Sequence, residues 1–136
     1  MKDKNQLRAE QTQQAIVDFM ISSQRIKFQL ETDLNELGIN YTQMSLLNFF
    51  SAHEDQQFSI TELTSIMAIN QPGVTKAVGG LELKGYVKKI ESQDDARVKL
   101  VQVTKRGLTI LGKARMSCYP NIESVFSCLN DVEMQA

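Results

Sequence analysis

Ser59-Ile60-Thr61-Glu62-Leu63, then Asn70-Gln71-Pro72-Gly73-Val74-Thr75-Lys76, then Gly85-Tyr86-Val87-Lys88-Lys89-Ile90 form the stretch on which the fold turns. Ser59 and Glu62 have capping-box spacing, in which a hydroxyl and a carboxylate satisfy helix-start amides, and Leu63, Ile66 and Met67 follow as an apolar stripe. Asn70 or Gln71 caps a second helix, whose first turn tolerates Pro72 because the amide that proline lacks has no partner there anyway. This helix runs to about Lys84 and stops at Gly85. Beyond it the apolar period becomes that of strands, Tyr86–Ile90 and Val98–Val103, separated by the charged run Glu91–Arg97. The result is a hairpin with a long tip, in which Val101 and Val103 share one face while Val98 and Leu100 share the other.

Upstream, Gln6 to about Leu37 contains neither proline nor glycine, and Ile16, Phe19, Met20, Ser23, Ile26, Leu30, Leu34 and Leu37 recur at three- and four-residue steps. This is one long helix, closed by Gly38 as a left-handed residue. A domain this small cannot cover all of it, so part of its stripe meets a second copy of the chain; the alternative is a helix packed wholly within its own subunit. Tyr41–Phe50 reads as another helix, with Thr42 as candidate cap and Met44, Leu47 and Phe50 inward, ended by the polar run Ser51–Gln57. Downstream, Thr104 caps a helix carrying Leu108, Ile110, Leu111 and Ala114. It is interrupted at Tyr119-Pro120, and a last helix carries Ile122, Val125, Phe126, Leu129 and Val132.

A chain of 136 residues with 42% apolar content suits one core. No run approaches the roughly 18 uninterrupted apolar residues of a membrane span. The start, Met1 to Glu10, is too polar for a secretory signal, so a soluble cytoplasmic protein without membrane partners is expected. Cys118 and Cys128 are too few for a disulfide scaffold and are expected as thiols, packing groups rather than redox sensors. His53 is the one histidine, read as a solvated loop residue, and no acid pair, phosphate loop or metal-ligand spacing points to an enzyme or a cofactor.

The net charge is -1, but it is unevenly spread: residues 1–56 hold 5 basic and 8 acidic side chains, residues 57–107 hold 8 and 5, and residues 108–136 hold 2 and 3. A local positive face suffices to attract phosphates. Two short helices, a tight turn and a hairpin with a basic tip are the parts of a winged helix-turn-helix, whose second helix fits the major groove of double-stranded DNA. Gln71, Pro72 and Gly73 open that helix, whose start offers free backbone amides. Thr75 offers a hydroxyl and a methyl, and Lys76 can reach guanine or a phosphate. Lys88, Lys89 and Lys99 are candidate phosphate contacts.

The runs Ile60-Thr61-Glu62-Leu63, Val74-Thr75-Lys76, Leu81-Glu82-Leu83-Lys84-Gly85-Tyr86-Val87, Asp95-Ala96-Arg97 and Val103-Thr104-Lys105-Arg106-Gly107 together resemble the MarR family of transcriptional regulators, in order and spacing, over roughly residues 40–112. The resemblance implies a mainly α fold with a small β-hairpin wing. A single domain over residues 1–136 would comprise a winged helix-turn-helix lobe at 39–107, flanked by N- and C-terminal dimerisation helices at 1–38 and 108–136. It implies a homodimer on operator DNA, with Arg97 in the minor groove and Asp95 holding it in position, a role that suits a guanidinium in a narrow, electronegative groove. The bland alternative is a loop ion pair between Asp95 and Arg97. By the same resemblance the protein is a repressor released by a small aromatic effector bound between the dimerisation helices and the lobe. Met20, Met44, Phe49 and Met116 are adaptable enough to line such a site, although core packing suits each better.

Gly79-Gly80 departs from the pattern, where a charged pair is common. Each glycine costs the helix roughly 1 kcal/mol relative to alanine. Either the helix backbone approaches DNA closely at Gly79-Gly80 or binding is weaker than in relatives, in which case Gly80→Arg gains affinity without altering the fold. The competing function is a winged-helix adaptor that binds protein and does not read DNA.

Overall fold

Asp3 accepts the Asn5 amide at 2.6 Å and opens α1 (Lys4–Glu36), 33 residues without a break. Gly38 closes it at φ +72°: the Gly38 amide donates to Asn35 at 3.1 Å and the Ile39 amide to Leu34 at 3.3 Å, so two orphan carbonyls are satisfied and Ile39 tucks into the core. The computed structural model describes the backbone of residues 1–126 and their side chains except those of Ile122, Ser124, Val125 and Phe126. Of the α1 stripe only Leu30 and Leu34 are buried, with Ile26 and Leu37 packed at the margin. Ile16, Phe19 and Met20 stand in solvent within the protomer.

α2 (Tyr41–Ser51) is capped by Asn40 and not by Thr42, because Gln43 stands three residues after Asn40 and closes a reciprocal capping box with it. Met44, Leu47 and Phe50 point inward as expected, joined by Leu46 and by the amide of Gln43. The polar run after α2 hides a short strand, β1 (Phe58–Ser59), which pairs antiparallel with a later strand through Phe58–Val101 and Ser59–Leu100. Two residues carry no readable period. Ser59 and Glu62 then cap α3 (Ile60–Met67) as read, with Leu63 buried and Ile60 and Met67 packed at the core margin, whereas Ile66 lies outward, off the edge of that stripe.

α4 (Gln71–Leu83) follows, and Gly85 ends it in the manner of Gly38. Gly85 has φ +76°, its amide meets Glu82 at 2.9 Å, and the Tyr86 amide meets Leu81 at 2.9 Å. β2 (Val87–Glu91) and β3 (Lys99–Val103) form the hairpin in register Val87–Val103 to Glu91–Lys99, giving an antiparallel sheet of order β1-β3-β2. Val87, Val101 and Val103 turn into the core and Val98 stays exposed.

α5 (Lys105–Phe126) starts where Thr104 accepts the Gly107 amide at 3.1 Å, and Leu111, Ala114 and Cys118 are buried along it. The expected interruption at Tyr119-Pro120 is absent, and the helix runs through Pro120. A proline removes one donor, which a helix survives when both flanks are held. Cys118 is buried before it, and after it Asn121 donates to Asp33 of α1. The expected stripe Ile122, Val125, Phe126, Leu129 and Val132 lies outside the described side chains. Arg115 pins α5 to α2 by donating from Nε and Nη2 to Asn48 Oδ1 at 3.0 and 2.8 Å, and from Nη2 to Ser51.

At Gly107 a Cβ would lie 2.1 Å from the Tyr86 carbonyl oxygen, whereas at Gly112 it would meet nothing within 4 Å. Gly107→Ala is therefore expected to cost about 2 kcal/mol through overpacking against backbone. Gly112→Ala gains up to about 1 kcal/mol from helix propensity. Urea denaturation of the two variants beside the wild type measures both.

Candidate nucleic-acid interface

The orientation of α4 follows from its own sequence: Val74, Ala77, Val78 and Leu81, at three- and four-residue steps, are buried. Pro72, Thr75, Lys76 and Leu83 therefore face away from the core, and Gly79 lies on the midline of that outward face. Asn70, one of the two expected caps, accepts the Gly73 amide at 2.8 Å, leaving Gln71 as the exposed first residue of the helix. Ala68, in the turn before it, takes a left-handed conformation at φ 52°, a cost of roughly 1–2 kcal/mol that joins α3 to α4 within three residues. Gln71, Pro72, Thr75 and Lys76 line a shallow open concavity on the surface of α4.

The two adjacent glycines separate. A Cβ at Gly80 would sit 2.5 Å from Nε2 of buried Gln43, so Gly80 faces α2 and not the outside, while a Cβ at Gly79 would meet nothing within 4 Å. The expectation that Gly80→Arg leaves the fold unaltered is corrected by this contact. Any side chain there displaces the amide that closes the α2 capping box.

In the wing, Ser92 donates its amide to Val98 at 3.0 Å and Val98 to Asp95 at 3.0 Å, folding the tip back on itself. Asp95 Oδ1 accepts the Arg97 backbone amide at 3.0 Å, and the Arg97 Nε lies 3.8 Å from the same oxygen. The carboxylate thus orders the loop backbone more than it clamps the guanidinium, and the Arg97 side chain is 94% exposed. Lys99 pairs with Glu91 at 2.8 Å, which holds the Glu91 carboxyl below its ordinary range through that hydrogen bond and the ammonium charge. Lys89 reaches Glu82 of α4 at 3.6 Å, drawing the hairpin alongside that helix. Two expected phosphate-binding lysines are thereby partly neutralised, a pairing across strands and elements that linear spacing does not reveal. Among the described residues no carboxylate pairs with Lys76 or Lys88.

Outside this face, His53 is not solvated but half-buried: its Nδ1 donates to the Phe49 carbonyl at 2.8 Å, and its ring packs 4.5 Å from Phe49 and edge-on to Phe58. Met44 and Phe49 pack in or against the core as expected, whereas Met20 and Met116 do not, being 57% and 81% exposed. Cys118 is fully buried, and that burial, with Asp33 nearby, pushes its thiol above the ordinary range. Cys128 lies outside the described residues. Among the described residues no cluster of histidine, cysteine and carboxylates could hold a metal ion, and no helix is long and apolar enough to cross a membrane.

The sequence pattern of the MarR family matches residues 37–98. The chain is 24% identical over 92 residues to the HTH-type transcriptional regulator PapX of Escherichia coli, a match covering 68% of this chain and 56% of PapX, so the chain spans little more than half the length of that relative. Among solved structures, the transcriptional regulator BldR from Sulfolobus solfataricus is similar at 25% identity with a TM-score of 0.77, covering 98% of this chain and 92% of that one. A mutant MarR from E. coli, complexed with operator DNA, shares the fold at 19% identity with a TM-score of 0.74, covering 86% and 83%.

A thiol raised by burial stays protonated at neutral pH and reacts slowly. Cys118 is expected to resist iodoacetamide at pH 7.5 in the folded protein and to be labelled at once in denaturing urea, as read by peptide mass spectrometry.

Proposed function

We propose that this chain, whose residues 37–98 match the sequence pattern of the MarR family, is a sequence-specific transcriptional regulator of that family, bound to operator DNA as a homodimer. The outward face of α4 enters the major groove and the wing the adjacent minor groove. One observation carries this reading: Thr75 and Lys76 face outward on a helix whose opposite side is wholly buried, and Arg97 is held at the exposed tip of a hairpin that packs beside the same helix. Two cationic contacts into neighbouring grooves are the docking geometry of this motif. The operator complex of E. coli MarR supports it. Gln71 supplies a backbone amide at the helix start, Pro72 and Gly73 shape the first turn, Lys89 and Lys99 exchange their carboxylate partners for phosphates, and Asp95 presets the tip.

The dimer rests on α1 and α5. Phe19 is 73% exposed, and Ile16 and Met20 beside it, with Met116 and Tyr119 on α5, also lack cover within the protomer. In the dimer, residues 1–38 and 108–126 pack across the twofold axis and residues 39–107 read DNA. Repression in the cytoplasm and release by a small aromatic effector, seated between the dimer helices and the lobe, complete the reading. An effector acts by favouring a dimer whose two α4 helices no longer match major grooves about 34 Å apart. The adaptor alternative draws on the pairing of Lys89 and Lys99 with carboxylates, which lowers the charge offered to a polyanion.

Salt decides between the two, because neutralised phosphates make log affinity fall steeply with log salt. Fluorescence anisotropy on the promoter duplex of its own gene is expected to show that steep slope. Arg97→Ala should weaken binding by about 1–3 kcal/mol, and Lys76→Ala should lower the slope by about 1. A flat response would hand the protein to the adaptor reading. Phe19→Asp, which places a charge on the uncovered stripe, is expected to convert the dimer to a folded monomer in sedimentation velocity.

A further inference from the structure

Gly80 has a reason inside the protomer, the amide of Gln43; Gly79 has none. A glycine in a helix interior weakens it by the loss of backbone restriction, and selection for packing would place alanine where a Cβ meets nothing. The missing side chain lies in the middle of the outward face of α4, one turn beyond Thr75 and Lys76 and one turn before Leu83, whose side chain is 91% exposed. That face therefore carries a notch with bare backbone as its floor, flanked at four-residue steps by Thr75, with its hydroxyl and methyl, and by Leu83, and at three-residue steps by the charged Lys76 and Glu82. Leu83 is an exposed aliphatic side chain on a helix whose Val74, Ala77, Val78 and Leu81 are all buried.

Resting on the reading of α4 as the recognition helix, we propose that this notch receives the 5-methyl group of a thymine in the major groove, making Gly79 a specificity-determining position for a T·A pair beneath the middle of the helix. The thymine methyl is the one apolar group that base pairs project into that groove. A Cβ at position 79 would occupy the space it needs. Thr75 and Lys76 would read the neighbouring pairs, so the glycine selects by shape where its neighbours select by hydrogen bonds.

The test uses the full chain. Duplexes that it binds are enriched from a random pool, and each thymine of the enriched site is replaced in turn by deoxyuridine, which lacks only the methyl group. At one thymine in each half-site the replacement is expected to weaken the wild type about fourfold, the worth of burying one methyl group. Gly79→Ala is expected to lose at least as much on the thymine duplex and to bind the thymine and deoxyuridine duplexes equally, while its melting temperature rises, which separates lost recognition from lost folding. If Gly79→Ala binds the enriched site as tightly as wild type, or keeps the wild-type preference for thymine at every position, the notch is overturned and the DNA-binding reading stands. If no sequence is enriched and binding does not depend on salt, the DNA-binding reading falls and the notch with it.

Discussion

The carbonyl of Tyr86 is the point on which the lobe depends. It accepts the Thr104 amide at 3.1 Å, while Thr104 Oγ1 donates to the Gly85 carbonyl at 2.7 Å and accepts the amide of Gly107. One turn thereby ends α4, begins the wing and starts α5. The approach is so close that only a residue without Cβ fits at 107, and the Arg106 guanidinium lies over the Tyr86 ring 5.9 Å from its centre. A second tie from the same helix end, Lys84 donating to the Gly38 carbonyl, joins α4 to the turn between α1 and α2. The recognition helix is fixed at its C-terminal end by three elements and left bare along its outward face.

The charge of the reading surface is arranged by pairing as much as by count. Lys89 and Lys99 each hold a carboxylate at the surface, where such pairs contribute little to stability and are weakened by salt. Lys76 and Arg97 project beyond them. Such pairs cost little to open, so they fix the direction of the wing without committing its cations.

Much of this fold was legible because helix ends are written locally. Gly38, Gly85, the Ser59–Glu62 box and the Thr104 cap were all readable, since each satisfies backbone groups within a few residues of itself. Asn40 is legible too, from Gln43 three residues later, although Thr42 offers a competing cap. What stayed hidden depends on neighbours remote in sequence: Gly80 against Gln43, β1 against β3, the pairing of Lys89 with Glu82, and the packing of His53 against Phe58. The candidate site followed the same division. Thr75, Lys76 and Arg97 were visible from type and position, whereas the unequal roles of two adjacent glycines required the third dimension.

α1 gives the molecule a mechanical property that composition does not suggest. An unbroken helix of 33 residues is a rod of about 50 Å, anchored among the described residues near one end, through Leu30, Leu34 and the Asp33–Asn121 contact. Leverage follows: a tilt of roughly 5° at the anchored end carries the far end through about 4 Å, comparable with the ratchets by which packed helices switch between stable arrangements. A modest wedge at the root of this rod would thus be magnified across the particle.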